Sequence, residues 1–314
     1  MSRGERTVVR GVTRFRNAIL FVALAVAWGS AFTAIKAGLE FFPPVLFAAF
    51  RYDLAGVAML GYAAYATDRW RPRSQDEWVL VGIGGTFMIA AYHAFLFVGE
   101  QGTTSAAAAI IVSLSPILTT GFARAFLPDE RLTALGVVGL LVGFAGVGVL
   151  SNPDPADLVD ARTVSLFLIF VAAASFALDS VLTRRVDGEL PIETMEAWSM
   201  LVGAVLMHGA SLALAESASD VQWTGEAVLA LLYLVVVASS LGFLIYFDLL
   251  DRLGPIEINL VSYAAPVAAA VTGLVFLNET PTVYTVTGFG LILAGFVLLK
   301  RGTLRTEIVR LQRR

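Results

Sequence analysis

Three ionisable residues, Arg51, His93 and Asp179, lie inside long stretches of apolar residues. A guanidinium there can bind a carboxylate or a phosphate through two parallel hydrogen bonds, and a carboxyl group or an imidazole can carry a proton. Each residue also has a structural interpretation: an ion pair or an extended side chain for Arg51, a paired carboxylate for Asp179 and a packing role for His93. These residue types indicate either a binding site for a small polar molecule or buried structural groups.

Hydroxyl-bearing and aromatic residues predicted at similar depths complete a candidate binding site. Serine hydroxyls can bond a polar substrate, and aromatic rings can stack on apolar or aromatic substrates. Packing is the alternative role for every ring. The predicted substrate-binding residues are Trp28, Ser30, Arg51, Tyr92, His93, Ser113, Ser115, Asp179, Trp198, Ser239, Ser240, Tyr246 and Tyr263.

Two prolines, Pro116 and Pro266, fall near the centres of apolar stretches. Proline removes a backbone hydrogen bond and kinks a helix, and helices broken in this way often line binding cavities in membranes. Ser113 and Ser115 either bond the carbonyls that Pro116 frees or face a substrate. A fixed kink without a binding role is the other interpretation of both prolines.

The sequence lacks the groups of residues that catalysis or metal binding needs. It has no cysteine and two histidines, His93 and His208, far apart in the chain, which excludes thiol chemistry and disfavours a zinc site. It contains no phosphate-binding loop of the ATP-hydrolysing kind. We therefore predict no catalytic residue, no metal, no cofactor and no nucleic acid partner.

The composition indicates that membrane-spanning helices position the candidate site. Of the 314 residues, 57% are hydrophobic and 15% are charged, whereas soluble domains are charged at about a quarter of their positions. A spanning helix needs about twenty mostly apolar residues, and runs of that length are too long for strands. We predict an all-α integral membrane protein with ten transmembrane helices at residues 18–38, 44–65, 78–98, 103–124, 132–150, 163–183, 191–214, 226–247, 255–277 and 284–300.

The cationic residues predict the orientation of these helices. Of the 22 Lys and Arg residues, 19 fall on one side of the membrane if the ten helices alternate in direction, and Arg162 alone falls on the other. Arg51 and Lys36 lie within helices, and Lys36 is predicted to extend towards the interface. Since cytoplasmic segments carry the excess of Lys and Arg, we predict a multi-pass protein of the cell membrane with both termini in the cytoplasm.

The two halves of the chain resemble each other. Pro116 and Phe126-Leu127 recur 150 residues later as Pro266 and Phe276-Leu277, and Gly136 recurs 152 residues later as Gly288. Each half holds five predicted helices, and an odd number inverts the second copy in the membrane. We predict two inverted five-helix repeats, at 18–150 and 163–300, with basic cytoplasmic tails at 1–17 and 301–314.

Several short motifs resemble those of the EamA-type drug/metabolite transporters. They are WGSAF at 28–32, TSA at 104–106 followed by SLSP at 113–116, FLPDERL at 126–132, YAAP at 263–266 and FLNE at 276–279. The similarity covers residues 18 to 300. The sequence departs from the family pattern after Phe126-Leu127, where relatives usually have Gly-Glu.

The resemblance implies a carrier in which two five-helix halves surround a central cavity. Members of the family move amino acids, other metabolites or drugs, often outward, by alternating access. The predicted partners are therefore a small-molecule substrate and the lipid bilayer, with the chain acting as a monomer or a weak homodimer. A sugar-phosphate or nucleotide-sugar exchanger is the alternative carrier, and a membrane-embedded enzyme or a channel is the alternative of another class.

Protons are the candidate coupling ion, and Asp179 is the predicted protonation site if they are used. The guanidinium of Arg51 stays protonated and cannot exchange a proton at neutral pH. Glu196, Asp248 and Glu257 are predicted to lie near the cytoplasmic interface, where water would keep them ionised. Asp179 is placed deeper, in an apolar turn where burial disfavours its charge.

The predicted topology can be tested by labelling single cysteines, because the chain has none of its own. Cysteines at Asp157 and Ser219 should react with an impermeant maleimide added to intact cells. Cysteines at Arg73 and Gly188 should react only after the membrane is permeabilised. Reaction of the second pair in intact cells would contradict the predicted orientation.

Overall fold

The computed structural model describes residues 3–127, 133–152 and 160–312, which contain helices and no strand. Residues 128–132, which form most of the FLPDERL motif, and the labelling position Asp157 lie outside the described residues. The long helical segments are α1 (Arg3–Gly38), α2 (Pro44–Ala66), α3 (Gln75–Glu100), α4 (Ser105–Phe126), α5 (Ala134–Ser151), α6 (Ala161–Arg185), α7 (Ile192–Ala213), α8 (Gly225–Leu253), α9 (Val261–Leu277) and α10 (Val283–Gln312).

The prediction of an all-helical membrane protein is confirmed. Seven of the described helices are long and apolar enough to cross a membrane: the part Arg16–Gly38 of α1, together with α2 to α6 and α8. Two shorter apolar helices are α9 and the part Val283–Leu299 of α10. Helix α7 carries two glutamates and His208 and belongs to neither group. The number of ten spans stays a prediction.

Apolar side chains cover the outside of the bundle as well as its core. Val57, Leu229 and Phe276 are between 65% and 72% exposed, whereas Tyr52 and Phe47 are almost fully enclosed. Large exposed apolar side chains all around a helical bundle are what a lipid environment favours, because lipid tails are as apolar as the core.

Two helices contain a π-helical segment that the sequence analysis did not predict. These segments are Gly84–Ala91 in α3 and Tyr233–Leu241 in α8. Their first residues are 149 positions apart and their last residues are 150 apart. This spacing agrees with that of the repeated prolines, and π-helical turns are often found at functional sites.

The first predicted kink is a real break in α4. Its two α-helical parts, Ser105–Val112 and Ser115–Phe126, are separated by a turn, and Pro116 occupies the first turn of the second part. The hydroxyl of Ser113 donates to the carbonyl of Ile110 at 2.6 Å, and that of Ser115 donates to Val112 at 2.7 Å. Both hydroxyls thus bond backbone carbonyls at the break. This agrees with the structural interpretation of the two serines and not with the substrate-binding one.

The second predicted kink differs from the first in its position. Pro266 lies inside α9, and the break in the chain comes before that helix, at the turn of Asn259 and Leu260. The prolines therefore stand at different distances from the two breaks, although they are equivalent in the sequence repeat.

Glycines allow α5 and α10 to approach closely. A β-carbon on Gly139 would lie 2.6 Å from the carbonyl oxygen of Gly295, and one on Gly146 would lie 2.8 Å from that of Gly288. Small residues at such positions let backbones touch within membranes. The Gly139-x-x-x-Gly143 motif thus packs helices within the chain, and α2 similarly packs on α7, α1 on α9, and both α3 and α4 on α6.

Two glutamates from loops of the second half cap helices of the first half. Glu216 accepts from the backbone amides of Val45 and Leu46 at the start of α2, at 3.1 and 2.8 Å. Glu279 accepts from the amide of Ser105 at the start of α4, at 2.9 Å. Carboxylates satisfy the free amides of a helix N-terminus and favour its partial positive charge. Both contacts hold the two halves together at one end of the bundle.

Candidate substrate-binding site

Arg51 lies buried between α2 and the π-helical segment of α8. Its side chain is 6% exposed, and its Nε donates to the hydroxyl of Ser239 at 3.1 Å. The guanidinium carbon is 5.0 Å from the centre of the Tyr52 ring. No carboxylate of the described residues lies within 4.0 Å of Arg51. The predicted alternatives, an ion pair or a side chain extended to the surface, are therefore not seen.

His93 belongs to a hydrogen-bonded chain next to this guanidinium. Its Nδ1 lies 2.9 Å from the carbonyl of Ile89 and must be the donor, because a carbonyl only accepts. Its Nε2 lies 2.6 Å from the hydroxyl of Tyr52, from which a neutral imidazole would accept a hydrogen bond. Tyr92 packs edge-on against the imidazole, with ring centres 4.5 Å apart. The two hydrogen bonds thus fix the ring of His93, which lies two residues after the end of the π-helical segment of α3.

Trp28 connects α1 to the same π-helical segment of α8. Its Nε1 donates to the carbonyl of Ala238 at 3.1 Å, and its ring lies 5.4 Å from that of Tyr246. The hydroxyl of Ser30, also in α1, shares a hydrogen bond with the hydroxyl of Tyr233, the first residue of this segment. The two π-helical segments therefore position most of the predicted residues of α1, α2, α3 and α8.

Two carboxyl groups, Asp179 of α6 and Glu196 of α7, form the acidic part of the buried polar centre, the region that also holds Arg51 and His93. They are 7% and 5% exposed, and one oxygen of each, Oδ1 and Oε2, is buried without a hydrogen-bond partner among the described residues. Glu196 interacts electrostatically with Asp179 and also with Tyr52 and Tyr246. The prediction that Glu196 stays hydrated near the interface was therefore wrong.

A glycine makes room for this acidic pair. A β-carbon on Gly84, the first residue of the π-helical segment in α3, would lie 2.5 Å from the Ser199 hydroxyl and 3.9 Å from Oδ1 of Asp179. The Ser199 hydroxyl points to the carbonyl of Val81 at 3.4 Å. Neither carboxyl has a Lys or Arg nitrogen within 4.0 Å in the described part of the chain. The centre is thus polarised, with Arg51 in one part and two carboxyl groups in the other.

The remaining predicted residues do not all join this centre. Trp198 donates to the carbonyl of Trp70 at 2.9 Å and packs against Trp78, in an apolar groove on the side of α7. Tyr263 packs on Phe296, with ring centres 4.4 Å apart. Ser240 donates to the carbonyl of Val235, and Ser113 and Ser115 also bond backbone carbonyls.

The structure gives two ionisable residues, His208 and Lys36, partners that the sequence analysis did not identify. His208 is not isolated, because its Nε2 lies 2.7 Å from Oδ2 of Asp53, a residue that the sequence analysis did not consider. The Nζ of Lys36 donates to the carbonyls of Glu100 and Gln101, at the C-terminal end of α3, at 2.9 and 2.8 Å. These contacts join residues 64 to 155 positions apart, which a single sequence does not reveal.

The pockets and metal-ligating groups add no second site. Two pockets lie beside α7; one is the groove at Trp198, and the other is lined by Phe50, His208 and Glu216. Both miss the buried polar centre, whose side chains are packed together. Within the residues that the structure describes, no three His, Asp or Glu side chains come together in a way that would hold a metal.

Comparison with known proteins relates the whole chain to transporters. An uncharacterized transporter of Bacillus subtilis, YvbV, is 25% identical over 93% of this chain and 93% of its own length. An uncharacterized transporter of Archaeoglobus fulgidus is 26% identical over 90% of this chain and 98% of its own. A protein of Streptantibioticus cattleyicolor named "Probable terminal-alkyne amino-acid exporter" is 29% identical over 90% of this chain and 93% of its own.

The structure and the sequence profile agree with these relatives. A solved crystal structure covers 91% of this chain and 97% of its own, with 26% identity and a TM-score of 0.62. The profile of the EamA-like transporter family matches residues 16–152 and again 163–301. Together with the apolar helices, these matches show a multi-pass membrane protein. The chain belongs to the EamA-like transporter family.

Proposed function

We propose that this protein is a secondary transporter that exports small organic metabolites, such as amino acids or drugs, through the centre of a ten-span bundle. Family membership and the transporter names of its relatives support the class of function. The relative named as an amino-acid exporter supports the kind of substrate. In this proposal the protein is no enzyme, and alternating access exposes the central site first to one side of the membrane and then to the other.

The pattern of helix contacts supports two inverted halves. If each helix of the first half is exchanged with the helix five places later, the pair α1–α9 becomes α6–α4, and the pair α3–α6 becomes α8–α1. All four pairs are in contact, and the pairs α2–α7 and α5–α10, which the exchange leaves unchanged, are in contact as well. The equal spacing of the π-helical segments has the same symmetry. A site between such halves can be opened from either side by rocking.

The observation that carries the proposal is the unpaired guanidinium of Arg51. A buried charge without a partner costs several kcal/mol, and only Nε of this guanidinium has a hydrogen bond among the described residues. Its terminal nitrogens can bind a carboxylate through two parallel bonds. A substrate carboxylate would supply the missing negative charge, and Glu196 could receive the amine of a zwitterionic substrate, which leaves Asp179 to carry a proton.

The alternatives are less well supported by the same residues. A sugar-phosphate exchanger would concentrate several cations on the phosphate group, but Arg51 is the one Lys or Arg that the described residues place in the buried centre. A channel would not show saturable exchange of substrate across the membrane. An enzyme would need a nucleophile, a metal or an acid–base pair beside a substrate, and the family relatives are named as transporters.

Exchange by purified protein in liposomes tests the role of Arg51. Liposomes loaded with unlabelled amino acids should take up labelled ones by saturable counterflow. Arg51→Gln should reduce this counterflow by more than about ten-fold, because losing one partner of a buried charged pair costs about 2–5 kcal/mol. Counterflow by Arg51→Lys should fall between that of the native protein and that of Arg51→Gln, because lysine keeps the charge but lacks the planar guanidinium group.

The matched control is Arg162→Gln. Arg162 is exposed at the start of α6 and lies outside the candidate site, so this variant should exchange substrate at the native rate. Counterflow by Arg51→Gln that equals the native rate, for equal amounts of folded protein, would remove Arg51 from the binding site.

Neutral variants of the acidic pair test coupling to protons. Asp179→Asn imitates a permanently protonated side chain, so it should abolish accumulation driven by a pH gradient while sparing counterflow. It should not lower the unfolding temperature, because a buried carboxyl without a partner gains nothing from its charge. Asp248→Asn is the control, since Asp248 is paired with Arg16 and Arg252 near the surface. Undiminished proton-driven accumulation in Asp179→Asn would exclude this role.

A further inference from the structure

Glu100, at the C-terminal end of α3, is the most completely enclosed carboxyl group in the described chain. Its side chain has an exposed fraction of 0%, and both of its oxygens are buried without a hydrogen-bond partner among the described residues. No Lys or Arg nitrogen of those residues lies within 4.0 Å of it. Neither the candidate binding site nor the acidic pair uses this residue.

The charged groups around Glu100 are already engaged elsewhere. Lys36, from α1, gives its ammonium to the backbone carbonyls of Glu100 and Gln101, where it favours the negative end of the α3 dipole. Glu279, from the segment after α9, accepts from the amide of Ser105 and caps α4. We call this cap the latch, because it joins the two halves beside Glu100.

The other titratable groups that face Glu100 do not neutralise it. Arg51 of α2 and Tyr92 of α3 interact with it electrostatically, together with Lys36 and Glu279. The helix packed behind this part of α3 is α6, which contributes Ser165, an uncharged residue that bonds its own helix backbone. Glu100 therefore meets one nearby ammonium whose hydrogen bonds go to carbonyls, and one carboxylate of like charge.

The arrangement suits a protonated Glu100 better than an ionised one. Lys36 and Glu279 are opposite charges, so an ionised Glu100 would add a second negative charge to an enclosed space. It would also stand at the negative end of a helix, with both oxygens lacking donors. A neutral carboxyl group leaves far less charge to be compensated, although it still has unmet hydrogen bonds.

We propose that Glu100 is a proton-binding site whose proton keeps the latch closed. Loss of the proton creates a carboxylate that repels Glu279 and attracts Lys36 away from the helix carbonyls. The repulsion between the two carboxylates weakens the contact between Glu279 and the start of α4. This inference rests on the proposed function, because a latch between the halves matters only if the halves move; the charge pattern predicts that this end faces the outside.

The reactivity of a cysteine at the latch measures its opening. Ser105→Cys changes one buried atom in a chain without native cysteines, and the purified full-length protein in detergent exposes both ends to a maleimide. With Glu100 present, the labelling rate relative to an exposed cysteine at Ser219 should rise with pH, by up to about ten-fold per pH unit, the limit for one linked proton. With Glu100→Gln in the same background, the cysteine has the same surroundings but the linked proton is gone, so most of this rise should disappear.

A control variant and a second measurement make the test decisive. Glu40→Gln removes an exposed carboxyl at the same end of the bundle and should leave the pH dependence intact. Infrared difference spectra of the otherwise native chain should show protonated carboxyl bands, one of which is lost in Glu100→Gln. Labelling that rises equally in Glu100→Gln, or carboxyl bands that are the same in the native chain and in Glu100→Gln, would overturn the proposal.

These two measurements need no substrate. A failure of the latch proposal is therefore distinguishable from a failure of the proposed transport function, which the liposome exchange tests separately.

Discussion

The arrangement of the polar centre depends on the contact between Arg51 and Ser239. A guanidinium in the interior of a membrane protein must be held, because its charge has lost most of its water. Nε is held by the hydroxyl of Ser239, and the face of Tyr52 lies beside the guanidinium. The terminal nitrogens have no partner in the described chain, so the fold fixes the position of the charge without neutralising it. That combination distinguishes a binding group from a structural ion pair.

The π-helical segments explain how helices can present so many polar groups at one place. The segment in α8 supplies Ser239 to Arg51 and the carbonyl of Ala238 to Trp28. The segment in α3 begins at Gly84, beside the acidic residues, and ends next to Tyr92 and His93. A wider helical turn changes which side chains share a face, and it can leave carbonyls open to side-chain donors. The two segments thus give the two halves equivalent irregular surfaces that face the centre.

Much of this fold could be predicted from the sequence. Apolar runs and the repeated Pro116 and Pro266 gave the helical class and the duplication, because both depend on local composition and spacing. The π-helical segments were missed, since Tyr233–Leu241 reads as an ordinary apolar stretch.

The site could be predicted only in part. Arg51, His93 and Asp179 stand out as ionisable residues in apolar runs, whereas Glu196 was misjudged, because its burial depends on the helices packed around α7 and not on its distance from a helix end. The pair of His208 and Asp53 was also missed, because it joins residues 155 positions apart.

Ligand-induced stabilisation tests the central claim, that Arg51 binds the carboxylate of a small metabolite, most directly. Thermal unfolding of the purified protein would be followed with matched pairs of ligands, each a free amino acid and its carboxamide. The account predicts that some free acids raise the unfolding temperature, that their carboxamides do so much less, and that Arg51→Gln loses the difference. Equal stabilisation by acid and carboxamide, or an undiminished difference in Arg51→Gln, would contradict it.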